Sequence, residues 1–444
     1  MKFTKRKTEI WNYPILSEHH DKIMDVKEYV SKFETLPIDR PISMYIHIPF
    51  CKSFCYFCPY CKESARSKKI ESLFECILTE IRAYAKVLRS KSVKISSIHF
   101  GGGSPSCVPS HYLSQIFKTI SSEFDTTDCK TISMEGNVTD LNYEYLLQIK
   151  EIGVNRLGFG IQTFNTNIRK KIGIRAEVDD IFRAVESLKR AGILNYSADL
   201  MYNLPDQTID DLNYDFDMLQ KLDLSSVELC GLNVYPNTVF EKLLHKEGYF
   251  DTLPSDEKDI EMFTHLSNLF VQNGYSKVLG NIFAKMSLDI PDTVQSFFDG
   301  YTIGVGPSSK SSVMNMNYRN NSSLDKYITS VNDCGFGISI GKYCNDDELD
   351  IRNMIISCNL LQIDKAKIGN LDNFRDTIDR LKEGGYITET SSHINVTDKG
   401  SLWVGNISYQ FLDQKSKAKI LQLYLDALRY KENPYNQDNM LVVS

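Results

Sequence analysis

The sequence predicts an α/β protein: a partial (β/α)6 barrel of the TIM type, followed by an additional C-terminal, mostly helical, winged-helix-like domain. Three observations predict it. From about residue 41 to 235, short apolar β-like runs alternate with longer helical patterns, the signature of βα units and a parallel sheet. After about residue 345 the pattern changes to helix, helix and a hairpin around "TSSH". With 444 residues the chain is also too long for one ordinary domain.

Taken in order, residues 1–40 form an N-terminal extension. The barrel strands are "SMYIHI" (43–48), "ISSIHFGG" (95–102), "TISMEGN" (131–137), "RLGFGIQ" (156–162), "YSADLMYNLP" (196–205) and "SVELCGLNV" (226–234). Each ends in a turn rich in Gly, Pro, Asn or Cys. Amphipathic stretches lie between them, such as "SLFECILTEIRAYAKVL" (72–88) and "VDDIFRAVESLKRAG" (178–192), the second closed by a glycine suited to a helix C-terminus. The barrel spans 41–235. Residues 236–344, helical and irregular with a Gly-rich piece "DGYTIGVGPSS", extend it toward the substrate, and 345–444 form a cover domain. A winged helix ordinarily suggests DNA binding. A formal net charge of −6 and fusion behind a barrel favour a lid over the site and no nucleic-acid partner.

Hydrophobic content of 42% and charged content of 24% are globular averages. No run of about 18 apolar residues would span a bilayer, and the N-terminus shows no secretory pattern. A cytoplasmic protein without a membrane partner is expected. Eleven cysteines in such a chain argue for metal or redox chemistry more than for disulfides.

Four of them crowd into "CKSFCYFCPYC": Cys51, Cys55, Cys58 and Cys61. Structural zinc normally wants two separated pairs or a Cys/His set, and a disulfide knuckle is disfavoured by compartment. An iron-sulfur cluster accepts thiolates from one compact loop, and C-xxx-C-xx-C supplies three, leaving one iron without a protein ligand. In parallel α/β folds, ligands collect at the carboxyl ends of strands. The cysteine loop follows the first strand, "GGGSPS" the second, Glu135 ends the third, Gln162 the fourth, and Asp199 lies in the fifth.

The strand "YIHIPF" followed by Cys51-xxx-Cys55-x-Phe57-Cys58 resembles the radical S-adenosylmethionine (SAM) superfamily. It is most similar to the branch that holds oxygen-independent coproporphyrinogen III dehydrogenase, haem chaperones and methyltransferase-like or haem-degrading enzymes. The resemblance spans roughly residues 40–412 and implies that Cys51, Cys55 and Cys58 ligate a 4Fe-4S cluster whose fourth ligand is SAM. Cys61 departs from that pattern and is left out of the ligand set. The resemblance further implies SAM contacts from Tyr45, from Gly102, Gly103 and Ser104 of "GGGSPS", and from Glu135, Gln162, Arg175 and Asp199. Arg175 suits a carboxylate because of its planar fork. Where the family usually has glycine, this chain has Asn203 and Asp206.

The resemblance also implies the core reaction: reductive cleavage of SAM to a 5′-deoxyadenosyl radical that abstracts hydrogen, with an electron donor such as flavodoxin or ferredoxin. It implies a second SAM near Phe298 and Asp299. "GLNVYPNT", "FNTNIRKKIGIR" and "KGSLWVGNIS" look closest to the group that transfers the methyl carbon of that second SAM, methylating or cyclopropanating an sp2 carbon of a small-molecule acceptor such as a tetrapyrrole. Oxidative decarboxylation of coproporphyrinogen and haem binding by a chaperone are the alternatives. For the last, His19, His20, His245 and His265 are the candidate ligands, although a lone histidine is more often a surface or packed-core residue.

Overall fold

The structure is a computed structural model that describes residues 1–7, 10, 13–16, 26–33, 38, 40–59, 63–88, 93–235, 238–285 and 301–429. Cys61, Phe298, Asp299, His19 and His20 lie outside the described residues.

All six expected barrel strands are present: β1 (Ile42–Ile48), β2 (Ile95–Gly102), β3 (Thr131–Gly136), β4 (Arg156–Gln162), β5 (Asn195–Tyr202) and β6 (Ser226–Gly231). Each pairs in parallel with the next. Six of the seven residues of β1 are buried, as expected of a strand covered on both faces. The helix Ile70–Val87 carries the chain from β1 back to β2 and buries Leu73, Phe74, Ile77, Ile81 and Tyr84 at helical spacing. A buried side chain of this kind contributes about 1.5–3 kcal/mol. The helix Val178–Ala191 starts in a capping box between Glu177 and Asp180 and ends at Gly192, whose φ of 70° completes the expected C-terminal stop.

One segment departs from expectation. The Gly-rich piece read as irregular contains β9 (Tyr301–Val305), which pairs in parallel with β1 on the side away from β2. Chain order adds β7 (Ser276–Lys277), β8 (Ile282–Ala284), β10 (Lys310–Val313), β11 (Met316–Asn320) and β12 (Ile338–Tyr343). The full order is β12-β11-β10-β9-β1-β2-β3-β4-β5-β6-β8-β7, so the sheet stays open, with antiparallel strands at both ends.

The turn after β9 is tied down from below. Glu80 accepts hydrogen bonds from the Gly306 and Gly337 amides, the Asn320 amide and the Tyr327 hydroxyl. Its burial pushes the carboxyl up to about 7, while those donors pull the other way. Gly306 is required here: its φ is +97°, and a Cβ would stand 2.4 Å from the His47 carbonyl oxygen.

At the C-terminus, the helices Asp346–Asn359 and Arg375–Glu383 accompany a three-stranded sheet, β13 (Gln362–Asp364), β14 (Ile387–Glu389) and β15 (His393–Val396). This is the expected helix, helix and hairpin order, with β13 added to the hairpin. The apolar cluster of this region also takes in Ile10, Tyr13 and Ile15 from the start of the chain. The N-terminal segment is stitched across it: the Lys7 amide donates to Asn406, while the Asn406 and Asn359 side chains donate to the Lys5 and Ile10 carbonyls.

Candidate functional site

The cysteine loop leaves the carboxyl end of β1 and is closed by a short parallel pairing of Phe50–Cys51 with Glu63–Ser64. Two backbone bonds hold its middle: the Tyr56 amide donates to the Ile172 carbonyl, and the Phe240 amide donates to the Tyr56 carbonyl. Phe57, the aromatic before the third cysteine, packs on the cluster of Ile168, Ile172, Met201, Leu204 and Phe240. The loop is thereby anchored to the β4 and β5 side of the sheet.

The glycine loop after β2 lies directly against the base of the cysteine loop. The Gly103 and Ser104 amides donate to the Ile48 and Phe50 carbonyls, both at 2.8 Å. A Cβ on Gly103 would sit 2.5 Å from the Phe50 carbonyl oxygen, so only glycine permits this backbone-on-backbone contact. The Ser104 hydroxyl reaches the Cys51 thiol at 3.5 Å. Ser106 then ties this loop to the end of β3, accepting from the Asn137 amide and donating to Asp140.

One cavity of about 1310 Å³ opens above the carboxyl ends of the strands, and every described candidate for the cluster and SAM lines it: Tyr45, Cys51, Cys55, Cys58, Gly102, Gly103, Ser104, Glu135, Gln162, Arg175 and Asp199. Gln162 takes a positive φ of 71°, which turns the chain out of β4 at the cavity wall. Asn203 and Asp206, where glycine was the family habit, take φ values of 59° and 63°. The turn keeps glycine-like geometry by using the residue types that tolerate it best. Side-chain bonds hold both: Asn203 accepts from the Ser255 amide, and Asp206 accepts from the Asp251 and Thr252 amides and from Lys171. Among the candidate histidines, His245 lines the cavity, whereas His265 is bonded to Asn213.

The wall formed by β3, β5 and β6 is acidic. Glu135, Asp199 and Glu228 all line the cavity, with Asp199 and Glu228 directly paired across adjacent strands. Glu135 is raised to about 7, first by burial and then by Glu228, with Arg156 opposing. Burial, Glu228 and Glu135 hold Asp199 well above the ordinary carboxylate range. The Asn281 amide donates to Glu228 at 3.0 Å. His99 stacks near Tyr45 and bonds Ser133, and burial followed by Arg156 lowers it to about 4, so it is neutral at pH 7. Sequence reasoning missed Glu228 and His99, although both lie inside strands it had placed. The usable signal was position: each lies within a few residues of its strand's carboxyl end.

Residues 45–219 match the Radical SAM superfamily. The chain carries a radical SAM domain. It is similar to heme chaperone HemW from Lactococcus lactis, 26% identical over 388 residues, covering 84% of this chain and 98% of that protein. It is also similar to oxygen-independent coproporphyrinogen III oxidase from Escherichia coli, 25% identical over 406 residues, covering 85% and 88%. The solved structure of coproporphyrinogen III oxidase (HemN) from Escherichia coli shares the fold, with a TM-score of 0.77 at 22% identity, covering 92% and 96%. The expected branch is thus found. The preference for methyl-carbon transfer is not supported by these relatives, whose names are those of a chaperone and an oxidase.

A radical SAM domain implies a 4Fe-4S cluster and SAM, and the residues present fit both. Among the described residues, no three acidic, thiol or imidazole groups gather tightly enough to ligate a single metal ion. A cubane asks for something else, one thiolate on each of three irons. Cys51, Cys55 and Cys58 face one cavity close enough to feel one another: burial first, then Cys58 and Cys51, push the Cys55 thiol up to about 12, and Arg169 opposes them. Without a cluster the Cys55 thiol resists ionisation, and bound irons would supply the missing positive charge. Among the described residues, no helix is long and apolar enough to cross a membrane.

Proposed function

We propose that this protein is a radical SAM enzyme that abstracts hydrogen from a carboxylate-bearing tetrapyrrole, in the manner of an oxygen-independent coproporphyrinogen III oxidase. The observation that carries this reading is the single cavity in which the three thiols, the glycine loop and the acidic wall converge. Its 1310 Å³ exceeds the ~300–1,000 Å³ typical of a small-molecule site, which leaves space for an acceptor beside SAM.

When bound, the cluster and SAM supply one-electron cleavage chemistry and a hydrogen-abstracting carbon radical. In this reading Cys51, Cys55 and Cys58 would hold the cluster, with SAM bound beside it. Backbone groups of Gly102, Gly103 and Ser104 receive the methionine amino end. Arg175 takes the carboxylate through its fork, Asp199 the ribose hydroxyls, and Glu135, Gln162 and Tyr45 the remaining polar edges. Protonation of Asp199 or Glu135 in the shared wall lets it donate to a ligand as well as accept. A flavodoxin or ferredoxin is the proposed reductant. A second SAM, expected beside Phe298 and Asp299, falls outside the described residues.

The similarity to a haem chaperone supports a second reading in which the protein carries haem, with the cavity-lining His245 as a candidate ligand. Anaerobically reconstituted protein with dithionite and SAM separates the readings. Incubated with coproporphyrinogen III, it should form 5′-deoxyadenosine without S-adenosylhomocysteine. Equal amounts of both products would restore carbon transfer from a second SAM. Neither product, together with stoichiometric haem binding, would sink the enzyme reading.

A further inference from the structure

Two of the residues read as SAM contacts, Gln162 and Arg175, stand at either end of one excursion of the chain beyond β4, and the short helix Thr166–Lys171 runs between them. Arg169 of that helix is 3% exposed, and its guanidinium turns back onto the backbone at both ends of the excursion. It donates to the Ile161 and Thr163 carbonyls at 2.7 and 2.8 Å, the residues on either side of Gln162, and to the Ala176 carbonyl at 2.6 Å, next to Arg175. A second bond to Ala176, at 3.2 Å, comes from Nε. Gln162 holds a φ of 71°, a left-handed conformation that a residue other than glycine keeps only where its surroundings fix it. Arg169 fixes it from within the excursion. Asp215 does so from the helix Ile209–Gln220, accepting from the Thr163 hydroxyl and the Phe164 amide.

The same segment touches the cysteine loop. The Tyr56 amide, next to Cys55, donates to the Ile172 carbonyl at 3.1 Å, and a Cβ on Gly173 would stand 2.6 Å from the Tyr56 ring. The Arg169 bonds all end on neutral oxygens. Burial lowers the Arg169 pKa, and Cys55 is the first of the charges that raise it, ahead of Glu177, Asp215 and Asp180. Glu177 and Asp180 are engaged in the capping box of the next helix, and burial pushes Asp215 up to about 7. Of the ionisable groups around Arg169, Cys55 is thus the one it acts on most strongly.

We propose that Arg169 is a positioning residue that serves both cofactors: its fork fixes Gln162 and Arg175 toward SAM, and its buried charge favours the reduced state of the cluster beside Cys55. This rests on the reading of Cys55, Gln162 and Arg175 as cofactor contacts and adds to it what holds them and what tunes them. Only a planar fork with several donors in fixed directions reaches carbonyls at both ends of the excursion at once; an ammonium is a point charge. Reduction by the external donor adds one electron, hence one negative charge, to the cluster, and a cation held in a poorly screened interior lowers the cost of that charge.

The two roles separate by substitution, because lysine keeps the charge and loses the fork, whereas glutamine loses both. The test uses the full chain with its cluster reconstituted anaerobically, and reads SAM affinity by equilibrium dialysis and the midpoint potential of the SAM-free cluster by dye-mediated optical titration. Arg169→Lys and Arg169→Gln should each weaken SAM about tenfold or more, the worth of a charge-assisted hydrogen bond. Arg169→Lys should keep the wild-type potential. Arg169→Gln should hold about tenfold less reduced cluster at a fixed potential, a midpoint about 59 mV more negative for a one-electron couple. A merely structural role would not split the two variants in this way. Should Arg169→Gln fail to fold, Arg169→Lys still decides the fork. Wild-type SAM affinity in Arg169→Lys, or an unchanged potential in Arg169→Gln, would overturn the proposal. Gln162→Ala and Arg175→Ala test the reading beneath it: SAM affinity unchanged in both would sink that reading of the SAM site and take the proposal with it.

Discussion

Replacing Gly103 by alanine tests the backbone contact on which the proposed cofactor site rests. The added Cβ would stand 2.5 Å from the Phe50 carbonyl oxygen and 3.0 Å from both the Phe50 carbonyl carbon and its amide nitrogen. None of these is the end of a flexible side chain, so the glycine loop and the cysteine loop must move apart by several tenths of an ångström. Such overpacking costs about 1–3 kcal/mol. The same movement stretches the Gly103 and Ser104 amide bonds to the Ile48 and Phe50 carbonyls, each worth about 0.5–1.5 kcal/mol. The sum is about 2–6 kcal/mol. If the loops must be forced back together when SAM binds, the lower figure alone weakens SAM about 30-fold. Equilibrium dialysis of labelled SAM against the reconstituted protein measures this directly, with iron content reporting whether the cluster still assembles. Gly274→Ala is the control, since a Cβ there meets nothing within 4 Å and only its φ of +84° is strained. It should lose about 1–2 kcal/mol of stability and no SAM affinity. A Gly103→Ala protein with wild-type iron content and wild-type SAM affinity would refute the reasoning.

Other perturbations have equally definite outcomes. Cys55→Ala should abolish the brown absorbance of the cluster and all SAM cleavage, whereas Cys61→Ala should leave both largely intact; loss of iron in the second variant would make Cys61 a ligand. Glu135 and Asp199 are both raised in the folded protein, so their contribution to stability is full below the ordinary carboxylate range and is lost as pH rises above it, for Glu135 through about 7. Glu228→Gln removes a neighbouring charge from both, so the fall in melting temperature of the metal-free chain between pH 5 and 8 should shrink; an unchanged pH profile would show the three carboxylates to be uncoupled. Glu80→Ala should cost about 4 kcal/mol or more, because it orphans the buried Gly306 and Gly337 amides and the Tyr327 hydroxyl, and thermal denaturation of the apoprotein would detect it.

What the sequence made legible was periodic or local. The strands of the barrel alternate with helices at a spacing that only a parallel sheet explains, and the cysteine and glycine loops follow β1 and β2 as short, ordered strings. Glu135, Gln162 and Asp199 stand at strand ends, where ligands gather, and their expected roles toward SAM came from the family resemblance. What was not legible depends on register and on contacts between distant segments. Glu228 matters because parallel pairing sets it beside Asp199. The strand Tyr301–Val305 was read as irregular because glycines dilute its β pattern. Its partner is β1, more than 250 residues earlier in the chain, and the Glu80 network that fixes its exit turn comes from the intervening helix. The left-handed turn at Asn203 and Asp206 was in doubt for want of glycine, and side-chain bonds to residues 251–255 supply what glycine would have given freely.

The central claim is that hydrogen is taken from a tetrapyrrole held in this cavity. It is tested most directly by supplying coproporphyrinogen III deuterated on its propionate side chains to the reduced, reconstituted protein with unlabelled SAM, and weighing the 5′-deoxyadenosine formed. The account predicts one deuterium in the 5′-deoxyadenosine for each side chain consumed. 5′-Deoxyadenosine that forms at the same rate without deuterium would contradict it.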